Sequence, residues 1–306
     1  MAHRTSARGA LFLTLAALFS LGLATASSQA APSGGAAKRV PRLVFPILGE
    51  ANRSDDFGDA RGQGAHEGND LLAPRRALAL AAEAGRVKFW TTSARAGCML
   101  YLEGASGTEY LYVHLNNDLT DANDNEGKCV PGVAYADGLE SGDKVAAGEP
   151  IGFVGDSGDA NGISSHLHFE VHPNGGAATN PFPHLKQASR LLFAATKGTT
   201  FTAALTGKVV TAAGEELQVA LEQVRWWPGG RKAKQPGQKL SVTVPGTASI
   251  EGVAPATGGV AYPTIDLLLR GSTVTVWTAP AQVTLAAQIG GKGALSAARV
   301  VLRRSL

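Results

Sequence analysis

This chain has little cysteine, little net charge and no apolar run long enough to cross a membrane. Its two cysteines are Cys98 and Cys129, and neither lies near the N-terminal segment, which argues against a lipoprotein anchor. The formal charge of +3 includes Arg4 and Arg8, so a chain cleaved after residue 30 keeps only +1. A polycation built for nucleic acid would keep far more, and no nucleic-acid partner is expected. The apolar stretch over residues 10–24 falls short of the roughly 20 residues that a spanning helix needs. Basic residues precede it, and small residues follow in Ala24-Thr25-Ala26 and Ser28-Gln29-Ala30. Residues 1–30 therefore read as a secretory signal peptide, residues 31–42 as a flexible linker, with no membrane span once the signal is removed. In an exported chain the single cysteine pair is expected to close as a disulfide. A loop of about 30 residues closed this way is worth ~3–4 kcal/mol in the chain-entropy account.

Long amphipathic helices are also missing. From Val44 to Leu185, short alternating runs are punctuated by Gly, Asp and Asn, which predicts antiparallel strands. A brief helix is expected over residues 187–196, after which the composition changes. Residues 197–306 carry further alternating runs, including Lys239-Leu240-Ser241-Val242-Thr243-Val244 and Thr273-Val274-Thr275-Val276-Trp277. These predict a second, smaller β-sandwich-like domain with its own core and no histidine or cysteine. The fold class is thus all-β, with units at residues 43–186 and 197–306. Trp226-Trp227-Pro228-Gly229-Gly230-Arg231-Lys232 could form a glycan-stacking platform. The favoured reading packs one tryptophan inside and leaves the cations on a solvated turn, with Trp277 in the core. The acidic stretch over residues 121–127 lacks the glycine and glutamate positions of a calcium loop. It is expected to be a solvated loop beside the site.

The chemistry concentrates in His166-Leu167-His168-Phe169-Glu170-Val171-His172. In a strand, residues two apart share a face, so His166 and His168 stand side by side. Such a pair suits a metal-bound reaction centre, where one imidazole binds the ion and the other handles protons. Upstream, His66 and Asp70 add an imidazole and a carboxylate four positions apart in a glycine-rich stretch, and His114 ends a second strand-like run. Catalytic zinc keeps about three protein ligands and one open position. His66, Asp70 and either later histidine would complete such a set.

The segment from Phe57 to Pro181 resembles the lysostaphin/LytM-type zinc metalloendopeptidases, which cut peptides of bacterial peptidoglycan. Phe57-Gly58 with Arg61 resembles the family's opening motif. His66-Glu67-Gly68-Asn69-Asp70-Leu71-Leu72-Ala73-Pro74 resembles its His-x-x-x-Asp motif and the apolar-Ala-Pro sequel. Ala84-Gly85-Arg86-Val87 resembles its glycine-valine turn. Tyr112-Val113-His114-Leu115 resembles its Tyr-x-His-Leu motif. The glycine-spaced hairpin from Gly148 to Gly158 leads into His166-Leu167-His168-Phe169-Glu170, the family signature unaltered. Asn69 departs from the pattern, where an apolar residue usually precedes the aspartate. It is expected to face solvent or to hydrogen-bond the ligand loop.

The resemblance implies an antiparallel catalytic domain with an open groove and one zinc ion held by His66, Asp70 and His168. It places His114 and His166 beside the ion as catalytic groups. It implies hydrolysis of peptidoglycan stem or cross-bridge peptides by a zinc-activated water. Neither histidine is singled out as the general base. With that ligand set complete, cysteine ligation of zinc is disfavoured. Glu67 and Glu170 are expected to orient or be solvated, Glu170 because it lies at the strand's far end, and His172 and His184 to be structural or surface groups. The implied partner is peptidoglycan peptide, the protein a monomer, and its location secreted, periplasmic or wall-associated. Two other classes stand beside this one: a wall-binding or amidase-activating module without activity, and a secreted zinc protease of glycine-rich proteins.

Overall fold

Period-two burial organises the chain into strands, as in His166–His172, where Leu167, Phe169 and Val171 are fully buried. The computed structural model describes residues 39–62, 64–252 and 264–303. The predicted signal peptide and most of the linker lie outside the described residues. In chain order the first strands are β1 (Ala60–Arg61), β2 (Gly64–Ala65), β3 (Asn69–Leu72), β4 (Leu78–Leu80), β5 (Gly85–Trp90), β6 (Cys98–Gly104), β7 (Glu109–Leu115), β8 (Lys144–Val145), β9 (Pro150–Phe153) and β10 (His166–His172). Helix α1 (Phe182–Gln187) follows. The remaining elements are β11 (Thr200–Ala213), β12 (Glu216–Trp227), β13 (Arg231–Lys234), β14 (Lys239–Thr243), β15 (Ser249–Glu251), β16 (Thr273–Thr278), β17 (Ala281–Gln282), α2 (Leu285–Ile289) and β18 (Ala297–Arg303).

The central sheet has six strands in the order β3-β10-β7-β6-β5-β8, all antiparallel. One face packs on a core that includes Leu71, Leu100, Tyr112, Leu167 and Phe169. Tyr112, fully buried, donates its hydroxyl to the Leu80 carbonyl at 2.9 Å and accepts from the Ala82 amide at 2.8 Å. Both polar functions of that hydroxyl are thus met inside the core, as burial demands. The other face of β10 and β7 lines a groove.

The second β-unit is an eight-stranded sheet in the order β13-β12-β11-β16-β18-β15, with β14 pairing β12 and β17 pairing β11. Among the named strands, only β15 and β18 pair with each other in parallel. The alternating runs named above fall on β14 and β16 as strands, but the core beneath them is shared with the first half rather than separate. The helix differs from expectation. Pro181 and Pro183 sit at the start of α1, where a missing N–H costs nothing, and the helix ends at Gln187. Leu191, Leu192 and Phe193 then run on as a buried apolar segment. They join Val44, Leu48, Leu80 and Phe153 of the first half to Phe201, Leu205, Val224 and Trp226 of the second in one cluster. No helix among the described residues is long and apolar enough to cross a membrane.

Candidate metal centre

Two neighbouring strands carry most of the site. In β10, His166, His168 and Glu170 alternate with the core residues and so face the groove. Asp70 of β3 lies directly across from His168 in the antiparallel register. Their side chains therefore meet on one face without special geometry. His66, in the turn before β3, completes the cluster. The His66 Nε2 lies 2.8 Å from His168 Nδ1, and both lie 3.1 Å from Asp70 Oδ1.

The outward contacts show which ring atoms face the cluster. His66 Nδ1 points away from it, 2.8 Å from the Asp56 carbonyl and 3.1 Å from Arg61 Nη2, and so leaves Nε2 toward Asp70. His168 Nε2 donates to Glu170 Oε1 at 2.9 Å and leaves Nδ1 inward. Two imidazole nitrogens and a carboxylate oxygen thus converge on one point, and these three side chains can hold a metal ion once the nitrogens give up any proton to it. Two nitrogens and one oxygen suit zinc. Burial alone would raise the Asp70 carboxyl, but bonds from His168 and His66 outweigh it and hold it well below the usual carboxylate range. Burial alone would lower His168, yet Asp70 and Glu170 bring it up to about 9. Arg61 adds a bond to Asp70 Oδ2 at 2.9 Å.

Glu170 takes the orienting role that was one of its two expected readings, but not from the far end of the strand. It is not remote from the site: Oε1 takes the His168 proton, and Oε2 lies 2.6 Å from His172 Nε2. His172 is fixed in turn by the Gly176 carbonyl at 2.8 Å. This carboxylate–histidine pairing fixes both ring orientation and tautomer. The signal was the shared parity of residues 166, 168, 170 and 172. Asn69 does not face solvent but is fully buried. Its Nδ2 donates to Asp56 Oδ1 at 2.6 Å, tying the ligand strand to the loop that bonds His66. Gly68 has a role the sequence did not reveal. A Cβ there would lie 2.6 Å from the Phe169 carbonyl oxygen and 2.9 Å from His168 Nε2.

His114 breaks the parity of its own strand. Tyr110 and Tyr112 point into the core, and strict alternation would send His114 after them. Its backbone instead has φ of 59°, the left-handed region that non-glycine residues rarely visit. That turn brings its ring to 5.1 Å from His166 and 6.0 Å from His168. His114 Nδ1 bonds the Ser157 carbonyl at 2.8 Å, and His166 Nδ1 bonds the Ser164 carbonyl at 2.9 Å. Both rings therefore present a bare Nε2 to the site. Burial, reinforced by His166 and His168, brings the His114 pKa down to about 4, so the ring is neutral at pH 7.

The five residues border a groove of about 560 Å³, whose walls include Trp90, Tyr101, Leu111, Val113, Ile163 and Arg95. The loop over residues 121–127 does not line it. Asp124 instead accepts bonds from Leu119, Thr120 and Glu126, and Asn125 bonds buried Asp118, so the acidic loop is folded on itself. Cys98 and Cys129 are disulfide-bonded. His184, on α1, is remote from the cluster.

Residues 133–181 match the family model described as Peptidase family M23. The chain is 31% identical over 137 residues to the DD-carboxypeptidase/endopeptidase Mpg of Neisseria meningitidis serogroup B. The chain thus carries a stretch similar to Peptidase family M23. Its similarity extends to the L-Ala--D-Glu endopeptidase of Bacillus subtilis, 26% identical over 157 residues. These matches cover 43% and 48% of this chain, and 27% and 43% of the relatives, so the chain spans less than half the length of either. Among solved structures it resembles the catalytic domain of lysostaphin from Staphylococcus simulans, with 22% identity and a TM-score of 0.34. That match covers 44% of this chain and 92% of the other. Helicobacter pylori Csd3 matches with 25% identity and a TM-score of 0.34, covering 48% and 36% of the two chains.

Proposed function

We propose that this protein is a zinc metalloendopeptidase that hydrolyses peptide bonds in bacterial peptidoglycan. The observation that carries the proposal is the convergence of His66 Nε2, Asp70 Oδ1 and His168 Nδ1 beside two imidazoles with free Nε2 atoms. The relatives named DD-carboxypeptidase/endopeptidase and L-Ala--D-Glu endopeptidase act by those names on peptides with D-amino acids, which supports the substrate class. In this reading His66, Asp70 and His168 hold one zinc ion, and His114 and His166 are catalytic. Bound there, zinc would acidify water and polarise a peptide carbonyl.

The chain's own groups supply the rest. His114, neutral with its Nδ1 on the Ser157 carbonyl, and His166, whose Nδ1 bonds the Ser164 carbonyl, each turn Nε2 toward the site, where it can accept a proton. The imidazolium so formed can stabilise the carbonyl oxygen as charge develops or return its proton to the leaving amine. The Ser157 and Ser164 carbonyls fix the ring planes, so no reorientation is needed during turnover. Leu111, Val113 and Tyr101 give the groove an apolar wall against an extended peptide, and Arg61 and Arg95 place cations near its carboxylates. The same reading takes residues 1–30 as a removed export signal, places the protein at or outside the cell envelope, and divides it at residues 43–186 and 197–306.

The test is release of new amino termini from purified peptidoglycan by the zinc-loaded chain, with fragments identified by mass spectrometry. A folded, metal-loaded protein that released none would leave a binding module as the answer. Cleavage confined to glycine-rich proteins would replace the substrate class and keep the chemistry.

A further inference from the structure

The second sheet carries an aromatic and cationic face that the peptidase reading does not use. Its inner face is apolar, with Phe201, Ala203, Leu205, Val224, Trp226, Val274 and Val276 all buried. By alternation the opposite face holds Trp227 and Trp277. Trp277 is thus not a core residue, as its strand pattern had suggested. It follows Val276 in register and is 37% exposed. Its ring stacks on that of Trp227 with centroids 5.3 Å apart and planes at 22°. Arg225 lies over the Trp227 ring at 5.8 Å.

Strand register fixes what surrounds this pair. One row across the sheet reads Lys232–Arg225–Ala204–Trp277–Arg299. Four residues along, another reads Lys239–Ala220–Lys208–Thr273–Arg303. All six cations are exposed. Between these rows stand two acids, Glu251, which is bonded to Arg299, and Glu222, exposed in the bulge of β12, against the six cations. The asymmetry extends to whole units. Residues 197–306 have 12 Lys and Arg against 5 Asp and Glu, a net +7, whereas residues 31–196 have 14 against 20, a net −6. The near-zero total charge conceals a basic unit fused to an acidic one.

We propose that this face binds an anionic glycan. Indole rings left in water cost free energy that an apolar sugar face can recover, and cation rows spaced along a sheet suit charges repeating along a polymer. The indoles already stack on each other and leave no slot for a base, which favours a sugar ring over a nucleic acid. The choice also rests on the peptidase reading, because the peptide that the groove would cut hangs on a glycan and brings carboxylates to it. Binding on the second sheet would then hold the acidic catalytic unit near a substrate of like charge.

The experiment uses the full chain, with tryptophan fluorescence titrated against hyaluronan, neutral dextran and single-stranded oligo-dT. Hyaluronan is expected to bind, and to bind at least ~10-fold more weakly at 500 mM than at 50 mM salt. Trp277→Ala, and separately Arg225→Gln with Lys232→Gln, should each weaken it ~10-fold with melting unchanged. Unchanged affinity in both variants, equal binding of dextran, tighter binding of oligo-dT, or no binding at all would each overturn the proposal. Hydrolysis of a soluble peptide is measured in parallel and is expected to be the same in every variant. Glycan binding without hydrolysis would sink the peptidase reading and leave the platform standing.

Discussion

Three histidines at one site differ in what their second nitrogen touches, and this difference predicts how each variant behaves. His168 gives its Nε2 proton to Glu170 and keeps Nδ1 for the cluster. His168→Ala should therefore lose zinc by elemental analysis. His166→Ala should keep zinc and lose turnover by ~10²-fold or more, the size typical of a lost general acid–base. Equal zinc loss in both would reverse the assignment. Glu170→Gln should weaken zinc affinity ~10-fold or more in a chelator competition, as outer-shell partners do; an unchanged constant would make Glu170 structural only. His114 predicts a pH effect on the metal-free protein. Its folded pKa of about 4 lies below the ordinary 6.5, so on acidification the unfolded chain takes up the proton first. The stability it contributes is present above pH 6.5 and is lost as pH falls toward 4, amounting to at most ~3 kcal/mol. Compared with His114→Gln, the wild type should lose more melting temperature across that window; parallel curves would refute the shift.

Elements explain what those residues cannot do alone. Strand β10 displays its chemistry on one face because Leu167, Phe169 and Val171 anchor the other, and that division was legible from alternation. The position of His114 was not, because a single left-handed residue reverses a pattern that parity would extend. The closeness of Glu170 was hidden for a related reason: spacing places it on the right face but not within 2.9 Å of His168. Gly68 is a consequence of close packing between the ligand loop and β10. Gly68→Ala would press on the Phe169 carbonyl and on His168 Nε2. Weaker zinc binding and a lower melting temperature are expected together, and normal values for both would show that the loop yields. The α1 boundary was misread because prolines start a helix as readily as they stop one.

At the scale of the whole molecule, two β-units share a hydrophobic cluster. Leu48, Leu80 and Phe153 pack with Phe193, Phe201 and Leu205, so an apolar surface of the catalytic half is covered by the other half. Calorimetry of the full chain should show one cooperative transition, and two well-separated transitions would mean that the shared cluster carries little of the stability. The second β-unit itself was readable from its alternating runs, whereas the shared cluster depends on contacts between residues over a hundred positions apart.

His66 and His168 touch across 102 residues of chain. Contacts of such span close late in folding, since the loop between them must first be ordered. Until β3, β7 and β10 have paired, the ligands and the two imidazoles are scattered along a chain with no hydrolytic power. If the site hydrolyses peptides as proposed, the compartment in which the chain folds is the first in which it can cut.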